Sequence, residues 1–264
     1  METVEVATPV GTGRLVVDEA AAPIAILVLG HGAGGGIEAF DLSALAEALP
    51  PLGISVARFE QPWRTAGRRV AGAAAGLDTA WRAALQVVTD RWPGLPLVVG
   101  GRSAGARVAC RCFAPPARAV VALAFPLHPP GRPASSRAAE AAGVDGPLLV
   151  VQGERDPFGS AAEVRTALVR TDRPGREIVE IPGAVHALGP TRKADDPHAR
   201  ARLITTPVAR FVTALVGPVP EASAPEASET DRMDPEDRAA DRTAADRTSP
   251  DGLRTDPGSP RGRS

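Results

Sequence analysis

Leu97-Val98-Val99-Gly100-Gly101-Arg102-Ser103-Ala104-Gly105-Ala106-Arg107-Val108 changes character at its centre. Its first four residues form a near-continuous apolar run, the pattern of a strand covered on both faces. From Ala104 to Phe113 the chain reads as a helix. Between the two, Gly101-x-Ser103-x-Gly105 places small residues two positions before and two after a serine. So tight a turn requires them, and it holds the serine in a strained backbone with its oxygen projecting from the sheet. The Ala104 amide opens the helix, where partial positive charge collects, so it can donate to a developing oxyanion. The bare motif also occurs in Gly-rich strand-to-helix loops. The strand–turn–helix setting is what makes Ser103 a candidate nucleophile.

The same alternation extends outward. Short β-rich runs occur at Arg14–Asp18, Ile24–Leu29, Ile54–Phe59, Val120–Phe125, Leu148–Gln152 and Glu177–Ile181. Helical stretches lie at Glu38–Leu49, Leu77–Arg91, Ala161–Val169 and His198–Val216. Alternating β and α implies an α/β fold with a mainly parallel sheet and helices on both faces. Thr3–Ala7 and Arg14–Asp18, with Gly11-Thr12-Gly13 as the turn between them, read as an antiparallel hairpin at the sheet edge. Chemistry in such a sheet belongs at the carboxyl ends of the strands. Four segments deliver unusual residues there: His31-Gly32-Ala33-Gly34-Gly35-Gly36, the Ser103 turn, Gly153-Glu154-Arg155-Asp156, and the stretch carrying His186.

A serine hydroxyl is a weak nucleophile and needs an adjacent base. Ser103, Asp156 and His186 follow the chain order Ser, acid, His that this kind of turn is found with. Asp156 follows a buried strand; a turn carboxylate or a helix cap is its bland alternative. Glu154 is the rival acid, nearer the strand end. His186 lies in a short loop after the last strand. His128, in Phe125-Pro126-Leu127-His128-Pro129-Pro130, comes before Asp156 and breaks the order, so it is read as lining a pocket. His31 shapes its own turn by hydrogen bonding. The small residues after it let amides approach a substrate oxygen, with Ala33 as the second oxyanion donor beside Ala104 and Gly34 as the alternate. A phosphate-cradling loop is disfavoured, because the Gly-x-Gly-x-x-Gly spacing and a Lys-Ser/Thr ending are both missing. Gln61, Trp63 and Arg102 are further candidates for substrate contact.

The chain has 264 residues, 44% of them hydrophobic, which suffices for one sizeable core. A net charge of −1 with scattered arginines gives no footprint for nucleic acid or membrane. Lys193 is the only lysine, which reads as a GC-rich codon bias. Cys110 and Cys112 are read as small buried hydrophobes, too close on a helix to pair with each other. Two cysteines make no known metal site, so no metal is expected, and the usage fits a reducing, cytoplasmic compartment. The acidic start lacks the basic region of a signal peptide, and the apolar run from Ala20 to Gly30 is too short to span a bilayer. From 217 to 264 the composition turns to Pro, Glu, Ala, Ser, Thr, Asp and Arg, with Asp-Arg recurring four times. That segment is expected to be a solvated, disordered tail following a domain at 1–216.

His31-Gly32-Ala33-Gly34, Gly100-Gly101-Arg102-Ser103-Ala104-Gly105-Ala106-Arg107, Phe125-Pro126-Leu127-His128-Pro129-Pro130-Gly131 and Gln152-Gly153-Glu154-Arg155-Asp156-Pro157-Phe158-Gly159 together resemble a known group. It comprises the small dienelactone-hydrolase-like predicted hydrolases of the α/β-hydrolase fold, and includes a testis-expressed vertebrate protein and a subunit of the NSL chromatin complex. The likeness spans most of residues 20 to 215. It implies the α/β-hydrolase fold and the triad Ser103, Asp156 and His186, with no cofactor and no metal. It supplies no substrate. The chain departs from the group at Ala106, where many relatives carry Gly, and at Val185, where a polar residue often precedes the His. The dienelactone-type cysteine nucleophile is replaced by Ser103.

The expected reaction is hydrolysis of an ester or thioester of a small acyl substrate through an acyl-enzyme. About 20 residues separate Phe125 from Leu148. No large cap domain fits there, so the site should be open. Two rivals stand beside this reading: a non-catalytic binding or scaffold module on the same fold, and a cofactor-free perhydrolase using the same triad.

Overall fold

The computed structural model describes residues 1–169, 173–192 and 195–216. The expected tail at 217–264 lies outside the described residues. In chain order the elements begin β1 (Glu2–Thr8), β2 (Gly11–Asp18), β3 (Ala25–Gly30), α1 (Phe40–Ala48), β4 (Ile54–Glu60), α2 (Pro62–Thr65) and α3 (Ala74–Arg91). They continue β5 (Leu97–Arg102), α4 (Ala104–Arg111), β6 (Ala117–Leu123), α5 (Ala138–Ala142), β7 (Leu148–Gly153), α6 (Ala161–Val169), β8 (Arg176–Ile181) and α7 (Pro197–Val216).

The strands join one sheet in the order β1-β2-β4-β3-β5-β6-β7-β8. β1 with β2 and β2 with β4 are antiparallel. All remaining pairs are parallel. This is the α/β-hydrolase fold, with a mostly parallel sheet.

The near-continuous apolar strands bury residues on both sides. Ile26, Val28, Val99, Val120, Ala122 and Val150 face a layer that takes Trp81, Ala84 and Val88 from α3, Ala106, Ala109 and Cys110 from α4, Ala141 from α5 and Val164 from α6. Leu27, Leu29, Val98, Val121, Leu149 and Val151 face the other layer, with Leu42 and Leu45 from α1 and Ile204, Val208 and Val212 from α7. A parallel strand must be covered twice because a helix crosses over on each face. Cys110 and Cys112 both sit in the first layer, and burial pushes their thiols up to about 12 and about 11.

The hairpin turn differs from its expected place. Chain reversal occurs at Pro9-Val10, where Thr8 Oγ1 accepts from the Val10 amide and donates to the Gly11 carbonyl. Gly11-Thr12-Gly13 is the start of β2 instead. Gly13 is required within that strand, since a Cβ there would lie 2.6 Å from the Phe59 ring. Its glycine answers to a ring on the neighbouring strand, not to a turn.

The segment between β6 and β7 folds down beside the sheet. Its α5 packs against α4 and α6 and buries Ala141 in the first layer. No helical cap covers the carboxyl end of the sheet among the described residues. Nor is any described helix long and apolar enough to cross a membrane.

Candidate active site

β5 ends at Arg102 and α4 begins at Ala104, so Ser103 alone makes the turn. Its φ of 54° and ψ of −110° lie where an L-residue is strained. The Ser103 amide donates to Leu123 O at 2.9 Å, which anchors the turn to β6. A Cβ on Gly101 would lie 2.6 Å from Gly30 O, and one on Gly105 only 2.2 Å from the same oxygen. Strand and helix backbones therefore touch at this crossing, and only glycine allows it.

Three side chains from distant segments meet above the turn. His186 Nε2 is 2.9 Å from Ser103 Oγ, and His186 Nδ1 is 2.8 Å from Asp156 Oδ2. With the proton on Nδ1, the imidazole donates to the carboxylate and accepts from the hydroxyl. The Asp156 carboxylate is fully buried. The Phe158 amide donates to its Oδ1 at 2.8 Å, and Gln152 Nε2 donates to its Oδ2 at 3.0 Å. The Phe158 ring lies 4.2 Å from the imidazole, centre to centre. Glu154, the rival acid, is spent elsewhere: its carboxylate accepts from the Gly183 amide, while Arg155 donates to Gly183 O. Both side chains pin the loop that carries His186.

The His31 loop follows β3, the neighbour of β5. His31 is buried and bridges two segments. Nδ1 donates to Gly32 O at 2.8 Å and Nε2 accepts from the Gln61 amide at 3.1 Å, which fixes a neutral tautomer. Burial lowers its pKa below the usual histidine value. A Cβ on Gly32 would be 3.4 Å from Ser103 Cβ, so this loop passes directly beside the serine. Ala33 and Gly34 beyond it are exposed.

Of the candidate pocket residues, Gln61, Trp63 and His128 are occupied with structural contacts. The Gln61 side chain donates to Leu77 O at 3.2 Å. Trp63 is 4% exposed, with its ring 5.5 Å from His31. Both support the His31 loop from beneath. The His128 amide donates to Phe158 O, its Nδ1 bonds Pro129 O, and its Nε2 faces Glu163 of α6. Its ring is thus turned to the acid loop and α6. Arg102 is likewise held by structural contacts: Nη2 donates to His186 O at 3.1 Å and Nε lies 3.1 Å from Asp41.

Sequence reasoning passed over Asp41, Gln152 and Phe158. An acid in a helix first turn is ordinary, and only its burial against Arg102 sets Asp41 apart. A glutamine closing an apolar strand was a weak signal for Gln152. Among the described residues, no group of three or more His, Cys, Asp or Glu is arranged to hold a metal ion.

Comparison with solved structures recovers the same architecture. An alpha-beta serine hydrolase homologue from Coxiella burnetii matches with a TM-score of 0.65 at 20% identity, covering 80% of this chain and 97% of that one. An a/b serine hydrolase without lid from Xanthomonas campestris matches with a TM-score of 0.63 at 22% identity, covering 83% and 96%. Est1E from Butyrivibrio proteoclasticus matches with a TM-score of 0.62 at 13% identity, covering 80% and 99%. Comparison with curated proteins gave no match by sequence. The family model described as "Alpha/beta hydrolase domain" matches residues 23–213, the stretch from just before β3 into α7, and the chain belongs to that family.

Proposed function

We propose that this protein is a serine hydrolase that cleaves an ester or thioester of a small acyl substrate. The observation that carries the reading is the pair of hydrogen bonds through His186, one to Ser103 Oγ and one to the buried Asp156. Oγ attacks the acyl carbonyl as Nε2 takes its proton. Asp156 holds the ring and stabilises the imidazolium. Collapse of the tetrahedral adduct expels the alcohol or thiol with the proton from Nε2 and leaves an ester on Ser103. Water, deprotonated by the same nitrogen, then releases the acid and restores the hydroxyl.

The oxyanion rests on the Ala104 amide, which begins α4 and has no helical acceptor of its own. The second donor is the Ala33 amide, one residue past the contact between Gly32 and Ser103. Gly34 borders the space the acyl group enters. The uncovered sheet end favours small substrates over lipids held under a lid.

Hydrolysis of a panel of short-chain acyl esters and thioesters by wild type and Ser103→Ala tests the reading. A loss of at least about 10³-fold is expected with the fold intact. A folded protein whose Ser103 takes up no fluorophosphonate, and whose ester turnover matches the variant's, would return the chain to the scaffold reading.

A further inference from the structure

Arg102 precedes the nucleophile, and its guanidinium reaches three other segments. Nη2 holds the His186 carbonyl. Nε lies 3.1 Å from Asp41 Oδ2 in the first turn of α1. Nη1 lies 3.2 Å from where a Cβ on Gly32 would stand, so the guanidinium packs against the His31 loop. The Arg102 side chain is 14% exposed and that of Asp41 is fully buried. Neither Nε nor Oδ2 completes an aligned hydrogen bond with any group. Their coupling is therefore one of charge at close range.

A base that takes a proton becomes a cation. The charged groups set against the His186 loop are Asp156, Glu154 and Arg155 following β7, Arg102 ending β5, Asp41 in α1 and Arg200 in α7, the last through the Pro182 carbonyl. A guanidinium beside the site opposes the imidazolium, whereas a buried carboxylate favours it, and low dielectric strengthens both effects. Burial pushes Asp41 up to about 6, with Arg102 and a charged His186 pulling it down. That pull is reciprocal: an ionised Asp41 favours a cation at His186.

We propose that Asp41 and Arg102 form a charge-neutral clamp on His186. Arg102 sets the height of the loop through the His186 carbonyl. Asp41 cancels, at the imidazole, the charge that Arg102 brings. Both are positioning residues for the reaction proposed above, on which this inference rests.

The test measures kcat, KM and the pH profile of kcat/KM for p-nitrophenyl acetate, with thermal melting by circular dichroism. Asp41→Asn leaves Arg102 unopposed. Its kcat should fall about 10- to 100-fold with little change in KM, the scale of a modest misplacement. The acid limb of its kcat/KM profile should move to lower pH. Arg102→Met strands Asp41, which then takes up a proton, so the limb stays near wild type while kcat falls about tenfold from the released loop. The double variant Asp41→Asn/Arg102→Met should bring the limb back to its wild-type position. A merely structural pair would leave the limb in place in every variant.

A limb that does not move in folded Asp41→Asn, or that stays displaced in the double variant, overturns the clamp. Should Asp41→Asn not fold, a folded Arg102→Met with wild-type kcat overturns it equally. Ser103→Ala run alongside separates the two levels. If it hydrolyses the ester as fast as wild type, the serine-hydrolase reading itself falls. If it is inactive while the clamp variants match wild type, only the clamp falls.

Discussion

Two glycine-rich stretches approach Ser103 from adjacent strands, and they use glycine for opposite reasons. At the turn after β5, Gly101 and Gly105 have no room for a Cβ, because the backbone of Gly30 lies against both. In the loop after β3, Gly34 and Gly35 have nothing within 4 Å of where a Cβ would stand. The first pair lets a helix cross a strand closely enough to present Ser103. The second leaves open space beside it, which the proposed reading gives to the substrate. Sequence alone renders both as runs of small residues. Only the neighbours divide a glycine that serves the fold from one that serves access.

Exchanging glycine for alanine on each side tests that division most sharply. Helix propensity favours alanine over glycine by about 1 kcal/mol. At Gly105 the clash is with a carbonyl of β3 at 2.2 Å, a backbone atom that cannot step aside. The clash should win, and Gly105→Ala should lose about 3 kcal/mol or more in urea unfolding, or fail to accumulate as folded protein. At Gly35 the same change meets open space. Gly35→Ala should lie within about 0.5 kcal/mol of wild type and can be slightly stabilising, since it restricts only the unfolded chain. Equal costs at the two positions would abolish the contrast.

Ser103 itself supplies a smaller effect of the reverse sign. Here the constraint is φ, not space. A residue with a Cβ held at φ 54°, ψ −110° stores roughly 1–3 kcal/mol. Glycine releases that strain and gives back about 0.5–1 kcal/mol in unfolded-state entropy. Ser103→Gly should therefore be about 1 kcal/mol more stable than Ser103→Ala, with both inactive. Indistinguishable midpoints for the two in the same unfolding series would show that the turn carries no such strain. Glycine would then be forbidden at no position of the elbow and required only at its flanks.

What sequence could and could not convey follows the same physics. The central strands were legible because burial on both faces leaves long apolar runs, and Leu148 and Ile54 each mark the first residue of an observed strand. The meeting of Ser103, Asp156 and His186 was legible because each sits just beyond such a run. The short α2 and α5 were not: four or five residues carry no period to read. Gly11-Thr12-Gly13 misled because a glycine that avoids the Phe59 ring looks the same as a glycine that makes a turn. Trp63 and Gln61 were read toward the substrate because aromatic and amide side chains near a strand end suit a pocket. Their burial beneath His31 depends on contacts between segments 30 residues apart. Asp41 and Arg102 are separated by β4, α2 and α3, and no local pattern announces a pair of that kind.

The gentlest probe concerns the anchor of the open loop. His31 is held neutral by burial, with its pKa lowered. In the unfolded chain the imidazole takes up a proton as pH falls through about 6.5, while the folded one resists. The unfolded state then binds more protons, so stability falls as pH drops below that value, and levels off once the folded imidazole is itself protonated. Asp41 works in the opposite direction. Its carboxyl is raised from 3.8 to about 6, so its contribution to stability is present below 3.8 and is lost as pH rises through about 6. Comparing wild type with His31→Gln cancels the Asp41 contribution and isolates the histidine. The unfolding free energy of wild type should decline relative to the variant on going from neutral to mildly acid pH, with no divergence on the alkaline side. Parallel curves throughout would mean that His31 is as readily protonated folded as unfolded. The loop would then rest on its own backbone and its packing, and owe nothing to the bridge between Gly32 and Gln61.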